Sequence, residues 1–439
     1  MRQYNSDKTD PVEAIPAPHE AASLALQHTL AAYASLIVTP MVLAGALGWA
    51  PEDIVLILSA CLVTSGLCTI LQCVGFGYAN FKIGIRLPVV QGTTIAAIPA
   101  LIMIGSSDGF NSMFGATIVA GAFAFLLAPW WGKMLRFFPD VVTGSVITII
   151  GIALFPVAIM WMGGGKGFGA QSVDTQNIVL SMGTLVIILA IMKWGSGVFA
   201  RLAILIGLVS GTTLGITMGL VDFAPVAASD WFAVVTPFAM GWPEFKLTAI
   251  IAMVFAMLVT MIESTGDYLA IGEVCNRPVD EKDVTAGLRA EGLGTMLGGV
   301  MNSFPYTTYS QNTGVLRISG VRSRWVVALC GVFLIVLGFL PKLSAIAASI
   351  PVAVLGGASI VLFGSIASTG IKILGRVDLD DNRNLVVVSV SLGLAMLVIS
   401  NPIFFATLPE ELSTLLGNAI TLGGISALLL NAIFQERKS

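Results

Sequence analysis

"LTAIIAMVFAMLVTMIESTGDYLA", Leu247 to Ala270, is long and apolar enough to cross a bilayer as one helix, yet its end carries two carboxylates, Glu263 and Asp267. They are four residues apart, so a helix places them on one face, about one turn from each other. A single Asp at the centre of a membrane helix costs about 2.5–3.5 kcal/mol even on a lenient insertion scale, so a pair is tolerated only facing the interior of a bundle. Asp267 has a second reading, since it lies close to "GEVCNRP" and could snorkel from the helix end.

The rest of the chain supplies the bundle. Of its 439 residues 56% are hydrophobic and only 11% charged, with a mean hydropathy of +0.91, the composition of a polytopic membrane protein. Apolar stretches recur from "LALQHTLAAYASLIVTPMVLAGALG" to "AITLGGISALLLNAIF", about fourteen in all, two of them broken. The first twenty residues are polar and lack the apolar core of a signal peptide; they read as a short cytoplasmic tail. Nothing in the charge pattern resembles a nucleic-acid footprint. Cys61, Cys68, Cys73, Cys275 and Cys330 form no CxxC pair and read as packing residues, so no metal or other cofactor is expected.

Spans near 22–48, 53–75, 86–105, 112–131, 140–162, 177–193, 199–221, 246–271, 284–301, 306–320, 325–341, 350–374, 384–400 and 417–434 place all 22 Lys and Arg residues except Lys166, Lys246 and Lys342 on the side of the amino terminus. By the positive-inside rule that side is cytoplasmic, and an even number of spans puts both termini there. Fourteen divides into two sevens of opposite orientation, the arithmetic of an inverted repeat. "PDVVTG" from Pro139, opening the fifth span, resembles "PVAVLG" from Pro351, opening the twelfth. Segments three and ten also correspond, in "LPVVQGTTIAAIP" and "FPYTTYSQNTG". Pro88 and Pro305 and the β-branched, polar runs after them favour extended backbone. Unwound backbone at membrane depth occurs only where it is buried in protein or lines a cavity, and a corresponding pair marks a transporter's substrate site.

Other polar residues join the candidates. His28, beside Gln27 in the first span, is either a satisfied core histidine or the partner of an acid in a proton route. Glu291, in "LRAEGLGTMLGG", is either an interfacial acid paired with Arg289 or Lys282 or a third intramembrane acid. Gln311 and Asn312 offer amide donors and acceptors suited to a ring with alternating N–H and C=O edges, or stitch neighbouring helices together.

"ESTGD", followed some forty residues later by "SQNTGVLRISGV", resembles the nucleobase-ascorbate transporter family, also called nucleobase-cation symporter-2. That family's signature runs Gln, then Asn or one of several other residues, any residue, Gly, four arbitrary residues, Thr, then Arg, Lys or Gly. Gln311, Asn312, Gly314 and Gly320 fit it, with Ser319 in place of Thr, and "QH" at Gln27 and His28 fits the family's first helix. The likeness extends from about Ala21 through the last helix.

The resemblance implies an all-α membrane fold of fourteen segments in a seven-plus-seven inverted repeat, with short β-strands in segments three and ten. It divides the chain into a tail (1–20), a core domain (21–135 and 244–342) and a gate domain (136–243 and 343–439). Glu263 and Gln311 would bind the base through side chains, with Thr94, Ile95, Ser310 and Asn312 around it and backbone amides near Ile95 and Ser310 completing the site. Asp267 and His28, with Glu263 and Glu291, would form the proton-coupling network. Gln at 311, where uracil carriers have Glu, and "RAEG" resemble the xanthine and uric acid branch. Glu291, Ser319 and Arg317 depart from the commonest pattern. The expectation is a proton-coupled purine importer in a bacterial inner membrane, a homodimer by resemblance and not an enzyme. Uracil or another nucleobase, or an anion carried by the same architecture, are the rival cargoes.

Overall fold

A computed structural model of the chain describes residues 10–78, 81–134, 138–165, 173–196, 199, 202–309, 312, 315–316, 322–401, 403–409 and 416–434. Their helices of eight residues or more are α1 (Pro18–Leu47), α2 (Pro51–Val74), α3 (Ile98–Leu127), α4 (Asp140–Ala153), α5 (Phe155–Met162), α6 (Thr175–Trp194) and α7 (Ala203–Thr217) in the first half. The second half holds α8 (Leu247–Val274), α9 (Glu281–Val300), α10 (Arg324–Gly338), α11 (Pro341–Ala348), α12 (Val352–Leu374), α13 (Asn382–Ser400) and α14 (Ala419–Phe434). Four short strands accompany them: β1 (Phe76–Tyr78), β2 (Phe81–Ile83), β3 (Gln91–Thr93) and β4 (Tyr306–Thr308).

Among the described residues eight helical stretches are long and apolar enough to cross a bilayer alone, and α10 with α11, bent by 81°, makes a ninth. The shortfall from fourteen has a physical cause. Segments three and ten carry strands, α7 and α14 are short, and α9 is rich in glycine; all these are held by neighbouring protein as much as by lipid. Segments three and four run into one another as α3, which breaks at Gly109 (φ 77°).

The helices pack in two groups. In the first, α2 lies along α10, and α3 along α9 and α8, with α1 against α10. In the second, α12 packs on α4, α5, α6 and α7, while α13 and α14 pair and reach α4. Glycines set the closest approaches: a Cβ on Gly66 of α2 would lie 2.3 Å from the Gly331 carbonyl of α10, and one on Gly121 of α3 would lie 2.7 Å from the Gly292 carbonyl of α9. Segments two and eleven are the repeat mates of nine and four, so these two contacts are one contact repeated by the inverted symmetry. The faintly matched "PDVVTG" and "PVAVLG" open α4 and α12, each after a proline cap, and these two helices pack on each other.

The tail side of the first group is closed by a strap. Val12 is fully buried, and its carbonyl accepts from the Arg324 backbone N–H at 3.0 Å. Glu13 Oε2 accepts from Arg324 Nε (2.9 Å) and Nη2 (2.7 Å), and Arg86 lies 3.7 Å from Oε1. Arg324 Nη1 donates to the Cys73 and Val74 carbonyls at the carboxyl end of α2. This guanidinium lowers the affinity of Glu13 for a proton below the ordinary value of 4.5. The stability it lends is therefore present above that value and lost as pH falls through the lowered native one. The Glu13 side chain is 39% exposed, so the gain is at most about 1 kcal/mol. Glu13→Ala is expected to lower the melting temperature in detergent at pH 7 by a few degrees, and the gap should close on acidification; a gap independent of pH would rule out the ion pair as its cause.

Candidate functional site

The two broken segments meet at the centre of the first group. β3 and β4 pair antiparallel, with Gln91 opposite Thr308, Gly92 opposite Thr307 and Thr93 opposite Tyr306. The pairing continues at both ends, where Thr94 N–H donates to the Pro305 carbonyl (2.9 Å) and Tyr309 N–H to the Val90 carbonyl (3.0 Å). Lone strands in hydrocarbon would leave backbone groups unsatisfied; crossing, each satisfies the other inside a shell of helices. Just beyond β3 the chain enters α3, whose positive amino end lies behind Ile95 and Ala96.

A narrow cavity of about 60 Å³ sits beside the crossing. Ile95, Ala96, Val259, Glu263 and Tyr309 line it from the first group, and Ile147, Ile150 and Ile366 from the second. Glu263 is solvent-accessible at this cavity and Asp267, one turn on, is half-exposed. Between them, a Cβ on Gly266 would meet no atom within 4 Å, so this face of α8 opens on a crevice. The start of α8 is fastened to the break in α3 by the Lys246–Asp108 ion pair and by Glu244, which accepts from Ser112 Oγ (3.3 Å) and donates its N–H to the Asn111 carbonyl (2.9 Å).

Glu291 is fully buried and is not an interfacial acid held by Arg289 or Lys282. Its Oε2 accepts from Ser264 Oγ, from Tyr268 Oη (3.3 Å) and from Gln91 Nε2 (3.5 Å). The same Gln91 amide donates to Thr308 Oγ1 (3.0 Å), and Ser264 Oγ accepts from the Thr308 N–H (3.2 Å). One carboxylate thus ties α8, α9, β3 and β4 together. Gln91, Ser264, Tyr268 and Thr308 are absent from the sequence-based candidates; the sign pointing to them was polarity in segments three, eight and ten.

His28 is buried, and the Asn312 amide donates both to its Nδ1 (3.1 Å) and to its backbone carbonyl (3.2 Å). The carbonyl only accepts, which fixes the amide nitrogen there; Nδ1 is then an acceptor and the proton of the neutral ring sits on Nε2. The first-helix histidine therefore reads the signature asparagine. Thr94 Oγ1 accepts from the Ala96 N–H (3.2 Å) and lies 3.3 Å from Thr260 Oγ1 on α8, bracing the cavity wall. Ser310 and Gln311 lie outside the described residues.

On the far side from the tail the two groups touch. Trp161 of α5 is fully buried against Gly45 of α1, and the Phe255 ring of α8 is seated on Gly424 of α14.

The family model described as "Permease family" (Xan_ur_permease) matches residues 19–404, most of the chain. The chain belongs to the nucleobase-ascorbate transporter family. It is 41% identical to the nucleobase transporter PlUacP of Paenibacillus larvae over 415 residues, 94% of each protein. With the uric acid transporter UacT of Escherichia coli it shares 41% over 430 residues, 97% of this chain and 88% of UacT. With the xanthine permease of Bacillus subtilis it shares 40% over 413 residues, 94% and 93%. Among solved structures, the transmembrane domain of the cyanobacterial bicarbonate transporter BicA superposes with a TM-score of 0.62 at 16% identity, covering 95% of this chain and 98% of that one. SLC26A9 follows at 0.61 and 11%, covering 96% and 67%. That likeness establishes the seven-plus-seven inverted-repeat fold. This member of the family is a multi-pass membrane transporter, not an enzyme.

Proposed function

We propose that the chain imports an oxidised purine, xanthine or uric acid, together with protons, by alternating access between a core (21–135 and 244–342) and a gate (136–243 and 343–439). The observation that carries this reading is the Glu263 carboxylate at a cavity walled by both helix groups. A carboxylate accepts from ring N–H groups, and an oxidised purine presents several on one edge. Gln311 would make the second side-chain contact, with the backbone near Ile95 and Ser310 and the side chains of Thr94 and Asn312 shaping the rest. The relatives named for uric acid and xanthine support the purine choice.

A proton taken from outside onto the network of Glu263, Asp267, His28 and Glu291 would neutralise a buried charge, favour binding and permit inward opening; its loss to the cytoplasm would release both. On this reading the far side, where Trp161 is seated on Gly45 and Phe255 on Gly424, is the extracellular side. Both termini would then lie in the cytoplasm of a bacterial inner-membrane protein, the orientation that the charge asymmetry supports. In the homodimer, the lipid-facing surfaces of α6 and α13, each 22% buried, are available to the second copy. The fold also serves anion carriers, but a small inorganic anion has no ring N–H groups for the Glu263 carboxylate to accept from.

The test is uptake of labelled xanthine and uric acid by cells lacking their own purine carriers, with a protonophore and with excess unlabelled uracil. Protonophore-sensitive uptake that uracil leaves intact is the expected result, while absent purine uptake or strong competition by uracil would transfer the assignment to a rival cargo. Asp267→Asn is expected to retain purine exchange and lose uphill accumulation, measured as counterflow against net uptake. Normal accumulation by this variant would remove Asp267 from the coupling route.

A further inference from the structure

Beneath Glu291 runs a chain of fully buried groups that includes neither substrate contacts nor the acids themselves. Gln72, in the last turn of α2, accepts from the Ile85 N–H at Oε1 (3.2 Å). Its Nε2 donates to the Gly287 carbonyl (2.9 Å) and to Tyr268 Oη (2.8 Å). Tyr268 Oη in turn donates to Glu291 Oε2. Gln72, Tyr268 and Glu291 are each 0% exposed.

The direction of this chain is set at Gln72. A backbone N–H only donates and a backbone carbonyl only accepts, so Ile85 and Gly287 together fix which end of the Gln72 amide is oxygen and which nitrogen. One Nε2 hydrogen goes to Gly287 and the other to the Tyr268 oxygen. The single hydroxyl hydrogen of Tyr268 is thereby sent to Glu291. Ser264 Oγ also donates to Glu291 Oε2, while it accepts from the Thr308 N–H and lies 3.1 Å from Thr307 Oγ1. Oε2 is thus occupied by donors, whereas Oε1 is buried without a hydrogen-bond partner among the described residues. Oε1 is therefore the oxygen of Glu291 left open for a proton.

We infer that Gln72 and Tyr268 are positioning residues for the transported proton, a donor chain that reserves Oε2 of Glu291 for incoming hydrogen bonds and leaves Oε1 to take up and give back the proton. The inference rests on the proposed proton-coupling role of Glu291 and adds two residues and a named oxygen to it. Packing supports it independently. A Cβ on Gly287 would lie 2.7 Å from the Tyr268 ring, so the glycine on α9 admits the ring to the place from which its hydroxyl reaches both partners. The other ionisable groups that act on Glu291 are Glu263 from α8 and Cys68 from α2; neither donates a hydrogen bond to it among the described contacts. Since Gln72 also accepts from Ile85 at the start of segment three, its own loss mixes positioning with local structure. Tyr268 and Gly287 separate the two.

The experiment is net uptake of labelled uric acid and xanthine against external pH in proteoliposomes, normalised to reconstituted protein, for Tyr268→Phe, Gly287→Ala, Gln72→Leu with Tyr268→Phe, and Glu291→Gln. Removing one donor from a carboxylate strengthens its hold on the proton, so Tyr268→Phe is expected to move the alkaline limb of the profile upward by about one pH unit, a tenfold change in proton affinity. Gly287→Ala, which displaces the ring without deleting any hydrogen-bonding group, should move it in the same direction. Gln72→Leu should add no further shift in the Tyr268→Phe background. A change in folding or yield alone scales the amplitude and leaves the profile where it was. An unmoved profile in Tyr268→Phe, alongside a flattened one in Glu291→Gln, overturns the donor chain and spares the role of Glu291. A wild-type profile in Glu291→Gln overturns that role and the donor chain with it.

Discussion

Replacing Glu263 with glutamine is expected to abolish purine accumulation while the protein reaches the membrane in normal amount. Glutamine keeps the shape of the side chain, and position 263 is accessible in the crevice rather than clamped in the core, so folding has little reason to change. What is lost is charge. A hydrogen bond to an ionised acceptor contributes about 1.5–3 kcal/mol, about ten- to more than a hundred-fold in affinity, against roughly half that for a neutral amide. The amide also turns an N–H toward ring N–H groups if it presents the wrong end, which sets donor against donor. A group that no longer titrates cannot exchange its charge for a proton, so coupling fails together with binding. Uptake of labelled uric acid and xanthine, compared with surface expression in the same cells, reads both effects. Wild-type accumulation by this variant would sink the assignment of Glu263 to the site.

Much of this site is legible in the sequence, for reasons particular to each residue. Glu263 and Asp267 stand out because hydrocarbon tolerates so little charge, and a spacing of four places them on one helical face without further information. The strands of segments three and ten are foreshadowed by Pro88, Pro305 and the β-branched runs behind them, and the structure forms them as β3 and β4. Glu291 shows where such reading ends. Its neighbours along the chain, Arg289 and Lys282, suggest a local ion pair, whereas its actual partners include Ser264, 27 residues away, and Gln91, 200 residues away. Gln72 and Tyr268 are 196 residues apart and look like ordinary core residues until the fold brings them together. The glycines are similar: their number announces close helix packing, yet only the inverted symmetry shows that Gly66 with Gly331 and Gly121 with Gly292 are the same contact. Long-range pairing of this kind leaves no period or motif to find.

Gly92→Ala is the second substitution expected to remove most transport, through shape alone. Gly92 lies in β3 opposite Thr307, and the Tyr309 ring lies flat over it: an added Cβ would come within 2.1 Å of the ring's Cζ and 2.5 Å of its oxygen. Under 3 Å something must shift, and the ring is poorly placed to do so. Its backbone N–H is bound to the Val90 carbonyl, its hydroxyl donates to the Thr93 carbonyl (3.2 Å), and it is buried. Overpacking of this kind costs about 1–3 kcal/mol. The cheapest relief is to swing Tyr309 off the strand into the cavity it lines, where Glu263 also projects. The occupied space is then the purine's. Transport should fall more than about tenfold, since that free-energy range exceeds one decade for most of its span, while α2–α10 and α3–α9 packing is kept and the melting temperature in detergent falls by only a few degrees. Adding Tyr309→Ala tests the route directly. Removing the ring in the Gly92→Ala background should restore part of the lost binding, whereas no recovery, or an equal collapse of stability, would place the damage in the strand pairing itself.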